Sequence, residues 1–225
     1  MKSFTMLAWS TFLMLIASTI SVAEELSQPE QLGKSIFFDN NLSINQNQSC
    51  AACHGTGVGW TGPDEVINTG GSVYEGSIAG RFGGRKPPSS AYATQSPVFH
   101  VDKKGLFVGG NFWDGRASGE KLGNPAADQA QGPFLNPAEQ ALPDSACVVY
   151  RVCNPAVPNN YPVSFEDVWG DEACDISWPA DVDTVCATEG ASVALDVADR
   201  DKSNDNYDNI ALSIAAYEGS PEVNA

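Results

Sequence analysis

Cys50, Cys53 and His54 form the one stretch whose residue types and spacing specify a chemistry without help from the rest of the chain. Cys50-Ala51-Ala52-Cys53-His54 is a CxxCH motif. Two thiols three residues apart can add to the two vinyl groups of a haem and form thioethers. The histidine that follows then places an imidazole on the iron as its proximal ligand. The same pair of cysteines could instead be a redox dithiol or half of a zinc site. The adjoining histidine, the aromatic and glycine-rich flanks and the signs of export favour covalent haem. The chain has one such motif, so one haem c is expected.

The sixth iron position is narrowed by composition. The three methionines are Met1, Met6 and Met14. All lie in a segment with a positive start at Lys2, an apolar run from Met6 to Ile20, and the small residues Ser21-Val22-Ala23. That pattern predicts a signal peptide over residues 1–23, cleaved after Ala23, and export to the periplasm. With the leader gone no methionine remains, and His/Met ligation is impossible within the chain. The sixth ligand is then His100, an unusual donor such as Tyr74, or nothing. An open iron binds peroxide or another small molecule, whereas a bis-histidine iron is an electron relay.

No segment after the leader is long and apolar enough to span a bilayer. The formal charge is −16, which argues against binding nucleic acid or anionic lipid and would steer a basic protein partner inward. Cys147, Cys153, Cys174 and Cys186 lie in a Pro-, Asp- and Val-rich region. In an exported protein they are expected to form two disulfides, with three possible pairings. The local pairing, Cys147 with Cys153 and Cys174 with Cys186, is the one expected; a tetra-thiolate zinc site is the alternative.

The elements that must position the motif are helices and glycine-rich loops. Leu32, Ile36 and Phe37 share one face of a helix from Gln28 to Phe38, stopped by Asp39-Asn40-Asn41. The stretch from Gly55 to Gly84 should be looped, with positive φ at Gly70, Gly71, Gly76, Gly80, Gly83 and Gly84. Trp60, Tyr74 and Phe82 within it should pack against something, and a haem face is a suitable surface. Short helices interrupted by Pro133 and Pro137 are expected between Asn124 and Ala141. Tyr207, Ile210, Ile214 and Tyr217 mark a last helix from Asp205 to Tyr217. The fold class is mostly α: a cytochrome-c-like haem domain over residues 24–225, with long Gly-rich loops. A disulfide-stapled loop insert of little regular structure, apart from a turn at Ser164 to Trp169, occupies about 142–200.

Several short motifs in order carry a resemblance. Leu32-Gly33-Lys34-Ser35-Ile36-Phe37-Phe38-Asp39, Leu42-Ser43, the CxxCH, Phe112-Trp113-Asp114-Gly115-Arg116-Ala117 and Tyr207-Asp208-Asn209-Ile210-Ala211 are similar to the N-terminal haem domain of bacterial di-haem cytochrome c peroxidases and the related methylamine-utilisation di-haem enzymes. The likeness runs from about Leu32 to Glu139 and resumes at Tyr207 through Tyr217. In that family this haem reacts with peroxide beneath a Gln, a Pro four residues on and a Glu ten residues on, which Gln129, Pro133 and Glu139 match. The resemblance implies that Glu139 moves protons, that Gln129 positions the oxygen species, and that Trp113 passes electrons between haems. Ordinary core packing is the other use of Trp113, and a surface helix position that of Glu139.

Departures qualify what is implied. The family's second CxxCH domain lies outside this chain, so the second haem belongs to a longer form of it, to another polypeptide, or is dispensed with. No histidine lies between Gly55 and Phe99, where the peroxidases often carry a displaceable ligand. The family's calcium-binding Asn is replaced by Lys86 in Arg85-Lys86-Pro87-Pro88, which makes calcium doubtful. Extra residues lie between Trp113 and Gln129. The expected function is reduction of hydrogen peroxide with electrons from a donor cytochrome or a separate haem domain. The rivals are a mono-haem electron carrier ligated by His100, and a non-catalytic sensing subunit.

Overall fold

Glu30 closes the start of the first helix by accepting from both the main-chain N–H and the hydroxyl of Ser27. This helix, α1 (Gln28–Phe37), is followed by a short 3₁₀ turn at Asn40–Leu42 that Asp39 caps by accepting from Asn41 N at 2.8 Å. The computed structural model describes residues 25–154 and 161–224. The expected signal peptide at 1–23 lies outside them. Among the described residues no helix is long and apolar enough to cross a membrane.

The other helices are α2 (Glu65–Gly70), α3 (Pro125–Leu135), α4 (Ser145–Cys153), α5 (Tyr161–Trp169), α6 (Val182–Cys186), α7 (Val197–Gly219) and α8 (Pro221–Asn224). The two strands β1 (His100–Val101) and β2 (Phe107–Val108) pair antiparallel, with His100 opposite Val108. The chain is mostly α, as the sequence implies. α7 is the central post, with α1, α3 and α4 packed around it. Leu32, Ile36 and Phe37 from α1 meet Ile210, Ile214 and Tyr217 from α7, and Phe134, Val148 and Phe165 complete the core. Gly33 sets the approach of α1 to α7. A Cβ there would lie 1.8 Å from the main-chain oxygen of Ser213.

α7 begins eight residues before the expected start. Asp196 caps it by accepting from Asp199 N at 2.9 Å. Its first turns have no apolar stripe because polar bonds dock them instead. Arg200 pairs with Asp144, Lys202 donates to Asp175 O, and Asn206 donates to Ala173 O. α3 continues through Pro133 rather than breaking there. Proline removes the N–H owed to the carbonyl of Gln129, and the helix ends two residues later, so the loss falls in its last turn.

The region 142–200, expected to be loop apart from a turn at Ser164 to Trp169, carries α4, α5, α6 and the start of α7. The pairing of its cysteines also differs from the local one: Cys147 bonds Cys186 and Cys153 bonds Cys174. The reason is geometric. Cys147 and Cys153 lie on the same helix, and six residues of helical rise separate their Cα atoms by about 9 Å, beyond the reach of a disulfide. The observed pairs have Cα separations of 5.4 Å and 5.2 Å. With all four thiols paired, no zinc tetrad can form. Arg151, buried on α4, donates to the main-chain oxygens of Asn41 and Ser43 and so ties this region to the start of the CxxCH segment.

Candidate functional site

The chain from Ser43 to Gln48 is braced before it reaches the motif. Ser43 Oγ accepts from the N–H groups of Asn47 and Gln48, and Asn45 and Asn47 donate to Ser77 O. Cys50–Ala52 then forms a 3₁₀ turn, and the N–H groups of Cys53 and His54 both donate to Cys50 O. This tight turn brings both thiols and the imidazole to the wall of one cavity of about 460 Å³. Cys50 and Cys53 remain free, whereas the other four cysteines are bridged.

A redox dithiol needs a thiol pulled below its ordinary pKa. Here burial, and after it the negative charge of Glu218, push Cys50 up; burial and then Glu139 push Cys53 up to about 11. Among the described residues no group of three His, Cys, Asp or Glu could hold a metal ion, so the half-zinc alternative has no second half.

His54 Nδ1 lies 3.2 Å from Trp60 O and 3.1 Å from Ser90 Oγ. The tautomer protonated at Nδ1 satisfies that side and leaves Nε2 unprotonated, the form that binds a metal. Burial keeps the ring neutral, with the main-chain oxygens of Trp60 and Pro88 acting the other way. Trp60 holds its carbonyl in place with a left-handed backbone, φ 59°. Phe37, Trp60 and Tyr217 pack edge to face at 5.6–5.8 Å beside the ring.

α3 and the turn after it also line this cavity. Gln129 and Pro133 are four residues apart on α3 and both line the cavity. Glu139 follows on a turn in which Gln140 N donates to Pro133 O and Ala141 adopts φ 59°. Its side chain accepts from Asn136 Nδ2 at 2.9 Å, and its main-chain oxygen accepts from Ser77 N at 2.7 Å. Gly76 lies against this turn for want of a side chain, since a Cβ would fall 2.4 Å from Ala138 O. It does so without the positive φ expected of it; among the expected positions only Gly71 and Gly80 have one. Burial raises the Glu139 carboxyl above its ordinary pKa, opposed by the charge of Arg116 and the Asn136 bond. Arg116 is stacked 3.7 Å over Phe112 and paired with Asp114, which also binds Arg85.

Trp113 is not a core residue. It is 65 % exposed, lines the cavity, and donates from Nε1 to Lys86 O at 2.8 Å. The two candidate sixth ligands are occupied elsewhere. His100 is exposed on β1 with Nδ1 2.8 Å from Val98 O, and is not among the cavity-lining residues. Tyr74 borders the cavity, but its hydroxyl accepts from Asp64 N at 2.8 Å and donates toward Asn68 Oδ1 at 3.2 Å.

Sequence reasoning did not single out Asn136, Arg116, Ser90 or Glu218 as site residues. Arg116 stands in a quoted motif and could have been found there. Ser90 and Glu218 carry no local signal; tertiary packing alone brings Ser90 Oγ to 3.1 Å from His54 Nδ1 and Glu218 to the same cavity. The cavity fits a covalently held haem. Its lining includes two free thiols, a metal-competent imidazole, a carboxyl and an amide. Three of its lining side chains, Gln48, Gln140 and Glu218, each keep a buried oxygen with no protein partner.

Comparison with known proteins agrees. The chain is 39 % identical over 144 residues to the methylamine utilization protein MauG of Paracoccus denitrificans (strain Pd 1222), covering 64 % of this chain and 35 % of that protein. It is 34 % identical over 112 residues to a cytochrome c551 peroxidase of Pseudomonas aeruginosa, covering 50 % and 25 %. The crystal structure of the diheme peroxidase BthA from Burkholderia thailandensis E264 has the same fold, with a TM-score of 0.64 at 24 % identity over 90 % of this chain and 41 % of that one. The chain thus spans about a third of the length of these relatives. The family model for di-haem cytochrome c peroxidase matches residues 27–223, and the chain therefore belongs to that family.

Proposed function

We propose that this chain forms the peroxide-reacting haem domain of a periplasmic c-type peroxidase. Cys50 and Cys53 would bind the haem c covalently, His54 would ligate its iron, and the expected loop insert at about 142–200 would stand beside it as a disulfide-stapled helical region. The single observation that carries the reading is that one cavity is lined by Cys50, Cys53, His54, Gln129, Pro133 and Glu139 together.

When bound, the haem supplies the redox-active iron at which hydrogen peroxide is reduced. Two electrons and two protons convert one peroxide to two waters. The protein's part is proton movement and positioning. Glu139, partly buried and held by Asn136, takes a proton from one peroxide oxygen and returns it to the other. Burial raises its pKa, which makes it a better proton acceptor than an exposed carboxylate. Gln129, which lines the same cavity, would donate a hydrogen bond to orient the oxygen species, and Pro133 would shape the space around it. Trp113, exposed and lining the cavity, would pass electrons from a donor cytochrome or a second haem domain.

The test is the electron paramagnetic resonance spectrum of the ferric, haem-loaded protein at neutral pH. A dominant high-spin signal is expected, because His100 does not line the cavity and the Tyr74 hydroxyl is engaged by Asp64 N and Asn68 Oδ1. A purely low-spin signal that persists on reduction would replace this reading with that of a mono-haem electron carrier.

A further inference from the structure

The chain leaves His54 in a loop that closes on itself, with Gly55 N donating to Thr61 O and Trp60 N to Gly55 O. A second segment is fastened along that loop at Gly59, Trp60 and Thr61 in turn. Ser89 Oγ donates to Gly59 O at 2.7 Å, Ser90 N to Trp60 O at 3.0 Å, and Thr61 Oγ1 to Pro87 O at 2.6 Å. The segment then turns, Ala93 N donating to Ser90 O, and Tyr92 N ties it to Asn224 Oδ1 on α8. Bonds on both sides thus fix the main chain at Ser90. The residue is 5 % exposed, and its Oγ lies 3.1 Å from His54 Nδ1.

Trp60 O lies 3.2 Å from the same nitrogen. A main-chain carbonyl has no hydrogen to give, so the proton between these two atoms is carried by Nδ1. Ser90 Oγ is therefore a second acceptor for a single N–H. The carbonyl alone would satisfy that nitrogen. The hydroxyl adds to it, and it comes from a side chain, so a change of residue at position 90 removes it while the Ser90 N–H keeps its bond to Trp60 O.

We propose that Ser90 is a positioning residue for His54, its hydroxyl sharing Nδ1–H with Trp60 O and so strengthening Nε2 as a donor to the iron. The inference rests on the haem reading above. An acceptor on Nδ1–H draws the hydrogen towards itself and adds electron density at Nε2, as outer-shell partners do for metal-bound histidines. A stronger donor favours ferric over ferrous iron and lowers the potential. Ser90 acts on the iron only through the imidazole.

The test compares Ser90→Ala, Ser90→Thr and Ser89→Ala with the parent, all haem-loaded, by midpoint potential and by the iron–histidine stretching frequency of the ferrous haem. Ser90→Ala should raise the potential and lower the stretching frequency. Ser90→Thr keeps the hydroxyl and should hold parental values. Ser89→Ala loosens the same segment, by removing the bond to Gly59 O, but leaves the acceptor in place; it should also hold parental values. Unchanged values in Ser90→Ala would overturn the proposal. So would equal shifts in Ser90→Ala and Ser89→Ala, which would mark a loosened segment rather than a lost acceptor. Parent protein that carries haem yet does not turn over peroxide would remove the peroxidase reading and leave this one standing, because neither readout depends on turnover. A parent without covalent haem would overturn both.

Discussion

Asn136 Nδ2 donates to Glu139 Oε1 across 2.9 Å, so the side chain proposed to move protons is held by a residue three positions before it in the same turn. The turn is also pinned from outside by Ser77 N and by the bare Cα of Gly76. Replacing Glu139 with Gln keeps the shape and removes the proton acceptor. Peroxide turnover should fall by on the order of 10²–10⁴, the usual worth of a positioned acid–base group. Asn136→Ala should lower turnover less, since the carboxyl stays but its orientation is released. Steady-state peroxide assays with equal haem content check both, and full activity in Glu139→Gln would remove Glu139 from the mechanism.

Gly33 tests the packing that carries the site. A methyl group there collides with the carbonyl of Ser213 on α7 rather than with a movable side chain. α1 must therefore shift, and with it Phe37 beside His54. Gly33→Ala should destabilise the protein by ~1–3 kcal/mol, the range for overpacking a tight core. Equilibrium denaturation should show a lower midpoint. A variant as stable as the parent would mean that the two helices separate at no cost.

Asp144 should govern stability in acid. Burial alone would push its carboxyl up. The Arg200 guanidinium and the N–H groups of Ala146 and Val193 outweigh burial and hold the pKa at about 2, against an ordinary 3.8. A lowered folded-state pKa means that the stabilisation is fully present above pH 3.8 and is lost as pH falls through about 2. The loss should approach ~2 kcal/mol, and Asp144→Asn should flatten the dependence in that window. Glu218, raised by burial to about 7, acts with the opposite sign. Its effect falls between pH 4.5 and 7, where stability declines as pH rises, so the two contributions separate in a single titration of unfolding free energy. An unchanged profile for Asp144→Asn below pH 4 would refute the assignment.

The haem-attachment motif, the mostly helical class, α1 and the apolar half of α7 were legible in the sequence because each is a local pattern. CxxCH is a chemistry fixed by spacing, and a helix that buries one face must repeat its apolar residues every three to four positions. Gln129, Pro133 and Glu139 were found only through family likeness, since nothing local distinguishes them from an ordinary helix end. Tertiary structure alone decided the rest. Cys147 cannot reach Cys153 because one rigid helix holds them apart, and its partner Cys186 is 39 residues away. The first turns of α7 are docked by polar bonds to distant loops, and such bonds leave no periodicity. Trp113 could have been core or surface, and its exposure follows from the loop that carries it. His54 itself was plain from the sequence, but Ser90 beside it was not. It lies 36 residues away in the chain, and only tertiary packing makes the two neighbours.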